Sequence, residues 1–438
     1  TSFAWAKEHP ITLVESGPSA GVNGAALVGT LCGEEDVIYL DIGGTTAKCS
    51  VIEGATVKVT TDYKLEWTRI DPGYPVKVPV VDIVEIGMGG GSIAWFDKVG
   101  TLKVGPVSAG SDPGPACYGQ GGAEPTVTDA KLLTGVLDPS YFAGGRITLD
   151  VAAAERAMRK IADGLGCSVE EAAVAVLRLA DADAINALKL VSIQRGHDPR
   201  DFVLVVGGGG GAMHAATLGR ELGVREIIIP LYPGYFSAWG MLATEPRRDF
   251  VQTALTRDAD MTAARIEELF AGLGADAAEY FRDQDGVEAD ALNYEFGIDL
   301  RYLGQEHWVT VPVVRDGLTV DSILSDFHVA HERAYTFQLD GTPVEFVNFR
   351  LTATARVPRP KVKPLNGTGR SAEAAAKGTR SVHYGEDGRH DARIFERDLL
   401  PAGFEAEGPM IVEEPSANII VHPGQKLRVD ELGFLHIT

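Results

Sequence analysis

Glycine in this chain is gathered into clusters, and the clusters follow apolar runs. Val37-Ile38-Tyr39-Leu40 leads into Asp41-Ile42-Gly43-Gly44-Thr45-Thr46-Ala47-Lys48, and residues 47–52 read as a return strand. Residues 80–86 run into Gly87-Met88-Gly89-Gly90-Gly91, with residues 92–96 leading out. Phe202-Val203-Leu204-Val205-Val206 ends in five glycines, residues 207–211, before a helical stretch at 212–222. A buried strand needs apolar side chains, whereas glycine allows positive φ and close backbone approach. The pattern therefore predicts strands that end in loops where a ligand binds or backbone packs tightly.

Between these loops the periodicity is helical. Residues 151–163 and 169–195 predict helices; in the second, Ala173, Val176, Leu177, Ala180, Ala184, Leu188 and Val191 recur at three- and four-residue steps. Residues 227–230 add a short strand. Strands alternating with helices argue for an α/β fold. After about residue 245 the pattern changes. The expected division is a nucleotide-binding lobe at 1–245, an α+β domain at 246–357, a linker at 358–378 and a small β-barrel or sandwich at 379–438. The parts after 245 are expected to build a partner surface rather than the site.

Composition narrows the function. The net charge is −21, which speaks against a nucleic-acid partner, because phosphate backbones need clustered Lys and Arg. No apolar run reaches the roughly 18 residues of a spanning helix. The first ten residues lack the basic-then-apolar pattern of a signal peptide, so a cytoplasmic location is expected. The cysteines, Cys32, Cys49, Cys117 and Cys167, are widely spaced and read as reduced thiols.

The loop at 41–48 carries the strongest chemical signal. A strand delivers Asp41, Gly43 and Gly44 expose backbone N–H groups, and Thr45 and Thr46 supply hydroxyls. Such a turn suits a phosphate, and the carboxylate suits Mg²⁺, usually through water. The plainer alternative is a tight hairpin with a capping Asp. The loop Gly207, Gly208, Gly209, Gly210 and Gly211, followed by His214, leaves room for a flat group or a phosphate near a helix start. It is neither a Walker A loop nor a Rossmann fingerprint, and a flexible strand-to-helix loop is its plainer reading. Together the two loops resemble the actin-like ATPase (ribonuclease H-like) fold. That fold uses an Asp-Gly-Gly-Thr-type hairpin in each of two lobes and a Gly-rich adenosine loop in the second.

Longer motifs make the resemblance specific. Glu15-Ser16-Gly17-Pro18-Ser19-Ala20-Gly21, the 41–48 and 81–94 segments, Ser108-Ala109-Gly110-Ser111-Asp112-Pro113-Gly114-Pro115-Ala116-Cys117-Tyr118-Gly119, Pro125-Thr126-Val127-Thr128-Asp129-Ala130, Arg195-Gly196-His197-Asp198-Pro199-Arg200-Asp201-Phe202 and Pro233-Gly234-Tyr235-Phe236-Ser237-Ala238-Trp239-Gly240 resemble the hydantoinase A/oxoprolinase family. Family members are longer at the N-terminus, where another Asp-x-Gly-Gly-Thr hairpin sits. The resemblance thus implies a second lobe without its first, not catalytically complete alone.

It also implies a subunit that uses ATP and Mg²⁺ to phosphorylate a carbonyl or amide oxygen of a small substrate. The reaction would be hydrolysis of a hydantoin, lactam or oxoproline, or carboxylation of a ketone. The partner in the implied hetero-oligomer is a hydantoinase B-type subunit. A non-catalytic nucleotide-binding assembly module is the rival from another class. Asp41 would be the catalytic and metal-holding residue. Gly43, Gly44, Thr45, Thr46, Lys48, the 207–211 glycines and His214 would hold nucleotide. Asp112 and Asp129 are candidate substrate contacts, or else turn caps. Cys117 has no adjacent base and is not assigned as a nucleophile. His328 and His331 share a helical spacing, and His307 is near in sequence. Without a carboxylate they carry no metal assignment.

Overall fold

The computed structural model describes residues 3–60, 63–65, 72–76, 78–339, 341–356, 358, 360–365 and 370–438. The expected linker at 358–378 therefore lies partly outside the described residues. The chain divides into two compact units, one of Glu15–Thr244 with Pro360–Thr438, the other of Thr1–Val14 with Glu245–Arg359.

The larger unit is built on a nine-stranded sheet. At its centre, Val37–Ile42 runs parallel to Val203–Gly207, which runs parallel to Ile227–Ile229. Val203–Gly207 is buried along its whole length, as expected for a strand covered on both faces. Ala47–Glu53 returns antiparallel beside Val37–Ile42, so the hairpin expected at 36–53 is present with Asp41 opposite Lys48. Ile38, Leu40 and Ile42 face a core closed by helices Val151–Leu165, Val169–Val191 and Ala215–Leu222. Val37 and Tyr39 face the other way, against helices Ser16–Cys32 and Phe236–Ala243. This alternation follows from the period of two along a strand.

The segment after Pro360 is not a separate domain, contrary to the expectation for 379–438. Leu435–Ile437 pairs antiparallel with Ile227–Ile229 and extends the central sheet through Lys426–Val429 and Glu405–Glu407. A second sheet, Ala376–His383, Arg389–Glu396, Met410–Glu414 and Ala417–Val421, puts Met410, Val412, Ile419 and Val421 into the same core as Ile38 and Leu40. The physical reason is that short strands with one apolar face bury it on the nearest uncovered apolar surface, here the large sheet and its helices.

The smaller unit is an antiparallel sheet in the order Arg247–Arg257, Val344–Ala355, Leu292–Tyr302, Val309–Val313. Helices Ala263–Asp285 and Val320–Tyr335 pack on it through Ile266, Phe270, Phe327 and their neighbours. Its histidines do not converge on a metal. His328 Nδ1 meets Tyr302 Oη at 2.8 Å, and His331 lies between Gln305 and the Phe337 carbonyl. Among the described residues no helix is long and apolar enough to cross a membrane.

Candidate active site

Parallel strands Val37–Ile42 and Val203–Gly207 place Asp41 opposite Gly207, so both glycine loops leave the sheet side by side at the carboxyl ends of neighbouring strands. Ligands of open α/β sheets bind at such edges. Gly210 N–H donates to the Ile42 carbonyl at 2.9 Å, tying the second loop to the first. A third loop joins them: Gly90 N–H donates to Gly43 O at 3.0 Å and Gly91 N–H to Gly44 O at 2.7 Å. A Cβ on Gly89 would lie 2.7 Å from Gly43 O and 2.8 Å from Thr45 N, so this stack needs glycine there. Gly208 has φ +79, and a Cβ on it would meet Asp41 Oδ1 at 2.4 Å.

The stacked loops form one wall of a cleft of about 320 Å³. Gly43, Gly44, Gly90, Gly209 and Gly210 line it, with Thr128 beside them. The N–H groups of Gly44, Thr45 and Gly209 have no hydrogen-bond acceptor within the protein among the described residues. Unpaired N–H groups clustered at a concave surface form an anion cradle. The rest of the lining mixes Leu137, Tyr141, Phe142 and Pro415 with the polar Glu414, Ser416 and Asn418. Arg146 is the one cation on the wall among the described residues.

Asp41 is half-buried. Its Oδ2 accepts hydrogen bonds from Ser237 Oγ at 3.0 Å and Tyr39 Oη at 3.2 Å. Burial, reinforced by this carboxylate, pushes the Tyr39 phenol well above its usual range, so Tyr39 stays a donor. Two neutral donors on one oxygen fix the side chain and leave Oδ1 for other partners.

The structure brings together Asp41, Gly43, Gly44 and the 207–211 glycines, and separates several other expected residues from them. Thr45 is exposed at the turn tip. Lys48 turns away along the return strand to pair with Glu85 at 2.9 Å, so it does not line the cleft. His214 is buried behind the glycine loop, with Nδ1 against Asp181. Burial and the nearby Lys131 hold its pKa below the usual value. It is not among the residues that line the cleft. Asp129 is fully buried: its carboxylate accepts from Cys117 N–H at 2.8 Å, Thr126 N–H at 2.9 Å and Thr126 Oγ1 at 2.7 Å. Its acceptor sites are taken up by the 115–126 loop and a capping box, so it anchors that loop and does not line the cleft. Asp112 is exposed and is not part of the cleft wall.

Three contributors were not found from the sequence. Ser237 orients Asp41 and lies in a quoted motif, but without a pattern that marks its partner. Glu414 and Ser416 line the cleft from a segment assigned to another domain. Glu414 pairs with the fully buried Arg397 at 3.0 Å.

Behind the loop, Lys131 is fully buried and its Nζ donates to the Met213 carbonyl at 2.7 Å. Met213 borders both the cleft and a second cavity of about 360 Å³. Burial lowers the Lys131 pKa from its ordinary 10.5 to about 8, with Asp181 opposing the change. Below pH 8 the folded and unfolded chains both carry the proton, and the buried charge weakens folding. As pH rises from about 8 to 10.5 the folded state releases the proton first, so stability rises. The full difference corresponds to roughly 3 kcal/mol. Denaturant unfolding from pH 7.5 to 10.5 should show this gain in the wild type relative to Lys131→Met. Parallel curves for the two proteins would show that Lys131 keeps an ordinary pKa.

Comparison with known proteins identifies the family. Residues 1–250 match the hydantoinase/oxoprolinase family, and residues 253–438 match the hydantoinase/oxoprolinase C-terminal domain. The chain belongs to the hydantoinase/oxoprolinase family. It is 33% identical to caprolactamase subunit alpha of Pseudomonas jessenii, over 99% of this chain and 62% of that protein. It is 32% identical to the acetophenone carboxylase gamma subunit of Aromatoleum aromaticum, over 95% of this chain and 58% of that protein. The crystal structure of the ATP-dependent caprolactamase superposes with TM-score 0.79 at 33% identity, covering 97% of this chain and 61% of that one. The nucleotide-free structure of acetone carboxylase gives TM-score 0.79 at 26% identity, covering 96% and 61%. The chain thus spans about three fifths of the length of these relatives. Its mixed α/β, multi-domain architecture is consistent with an actin-like ATPase fold.

Proposed function

We propose that this chain is the ATP-binding part of an enzyme subunit that phosphorylates a carbonyl or amide oxygen of a small substrate, in the service of cyclic amide hydrolysis. The observation that carries the proposal is the stack of three glycine loops beside Asp41, with Gly44 and Gly209, whose N–H groups have no acceptor among the described residues, lining a cleft that Tyr141 and Phe142 also line. Phosphoryl transfer relies on positioning and charge neutralisation, which such a site supplies.

In this reading the N–H groups of Gly44 and Gly209 hold phosphate oxygens, and Tyr141 and Phe142 border the base. The free Oδ1 of Asp41 suits a hard cation, through water or directly, and Mg²⁺ bound there with the nucleotide would neutralise phosphate charge. Ser237 and Tyr39 keep the carboxylate in place. The amide oxygen would take the γ-phosphoryl group as its bond to ADP breaks, and the amide nitrogen would give up its proton, leaving ADP and an imidate phosphate. A hydantoinase B-type partner in a hetero-oligomer would then supply the hydrolytic step. Carboxylation of a ketone, through an enol phosphate, is the second reading, favoured by the likeness to carboxylase subunits.

The test is a panel of hydantoin, lactam, 5-oxoproline and ketone substrates with the full-length protein and its partner subunit, read by ADP release. A cyclic amide should raise ADP release at least tenfold above the basal rate, with ring opening in step. Stimulation by a ketone with bicarbonate alone would favour the second reading. ATP binding with no stimulation by any carbonyl compound would favour a non-catalytic module.

A further inference from the structure

Cys32, Asp430 and His436 come together beside the central sheet, and none of them lines the cleft. Cys32 closes helix Ser16–Cys32, His436 sits in the last strand Leu435–Ile437, and Asp430 begins the turn before it. One donor atom from each lies within 4.8 Å of the others, and among the described residues no other set of His, Cys, Asp and Glu side chains does this. We propose that these three residues bind a zinc ion, with Glu226 holding the histidine from behind.

The donor set fits. Thiolate, imidazole and carboxylate are the ligand types zinc takes, and three protein ligands leave a fourth position for water. Asp430 is preset: its Oδ1 accepts from Leu432 N–H at 2.9 Å and Phe434 N–H at 2.8 Å. That leaves Oδ2, which lies 3.1 Å from His436 Nε2. On the other side of the ring, Glu226 Oε2 is 3.0 Å from Nδ1. This contact is at ion-pair distance, but it is not aligned as a hydrogen bond, and Nδ1 is buried without a hydrogen-bond partner. A carboxylate behind a metal-binding imidazole is the usual outer support of such ligands. His436 is only 4% exposed, whereas Cys32 and Asp430 are partly open. A cavity of about 390 Å³, lined by Glu226, Lys426, Arg428 and His436, gives a solvent route to the ring.

The bound ion would fasten the first helix of the large unit to its last hairpin.

The chain is first freed of metal with a chelator and then titrated with Zn²⁺ alone. One zinc per chain is expected, and Co²⁺ in its place should give a thiolate-to-cobalt charge-transfer band. Cys32→Ser should abolish the band and weaken zinc at least tenfold. Glu226→Gln should weaken it roughly 10- to 100-fold. Cys167→Ser, at the other partly buried cysteine, should change neither. Should Cys32→Ser fail to fold, Asp430→Asn serves in its place, and wild-type stoichiometry decides independently. No stoichiometric zinc on the folded wild type, or a cobalt band that survives Cys32→Ser, would overturn the site and leave only the contacts of His436 with Asp430 and Glu226.

Discussion

Asp41→Ala is expected to lower substrate-dependent ATP turnover by roughly 10²- to 10³-fold, the range lost when one preorganised charge-stabilising group is removed from a site. The carboxylate stands at the end of a buried strand, against the Gly208 backbone, with one oxygen held by Tyr39 and Ser237. Its removal leaves those two hydroxyls without their acceptor, which costs about 1–3 kcal/mol of stability. That loss would blur the reading, so Asp41→Asn is the sharper variant. It keeps the size and one acceptor oxygen and removes only the charge. Turnover should fall nearly as far with Asn as with Ala, while the melting temperature stays near wild type. Ser237→Ala should give a smaller loss, because Tyr39 still orients the carboxylate. Wild-type turnover and Mg-ATP affinity in Asp41→Asn would remove Asp41 from the chemistry altogether.

How far this site could be seen in the sequence depends on which contacts are local. Asp41, Gly43, Gly44 and the five glycines after Val206 announce themselves, because a strand that ends in glycines has few structural explanations. Lys48 and His214 lie within the same motifs, yet their side chains leave the cleft. Lys48 is on a return strand, where its direction is set by pairing with Glu85, a residue 37 positions away. His214 is directed by Asp181 on a helix that the sequence does not place behind the loop. Asp129 illustrates the same limit. A carboxylate in a Gly- and Pro-rich region reads equally as ligand or anchor, and only the four hydrogen bonds to it settle the matter.

The fold shows a parallel division. Helices Val151–Leu165 and Val169–Val191 follow the three- and four-residue spacing closely. Helix Ser16–Cys32 has no such signature. It holds Gly17, Gly21, Gly24 and Gly29, each costing about 1 kcal/mol relative to Ala, and Pro18 in its first turn. Packing explains three of them. A Cβ on Gly21 would meet Tyr39 Oη at 2.5 Å, on Gly24 the Gly240 backbone at 3.1 Å, and on Gly29 the Glu34 carbonyl at 2.6 Å. Tertiary contact overrides propensity here, and it also hides the helix from a periodicity search. The C-terminal strands were visible as strands, but their partner at Ile227–Ile229 lies some two hundred residues earlier. No local pattern carries that pairing.

The C-terminal segment is also where the largest stability effect is expected. Glu414→Ala should destabilise the large unit by about 3–5 kcal/mol, the cost of leaving a buried charge without its partner. Arg397 is buried, and its guanidinium contacts Glu414 at 3.0 Å and the Ile229 and Gly433 carbonyls at 2.9 and 3.2 Å. It therefore links the second sheet to the central strand Ile227–Ile229. Burial pushes Glu414 up and Arg397 down from their ordinary pKa values, and each opposes the shift in the other. Removing one partner leaves the other's desolvation unopposed. Replacing both by apolar residues, Glu414→Leu with Arg397→Met, removes two buried charges together and should recover most of the stability. The pair of variants also separates fold from site, because Glu414 lines the cleft beside Ser416. If the double variant is stable but binds ATP tenfold or more weakly, Glu414 positions the 414–418 turn against the nucleotide. If it is stable and binds ATP normally, the pair serves the fold alone. Denaturant midpoints of the single and double variants decide the first part, and a single variant within about 1 kcal/mol of wild type would refute it.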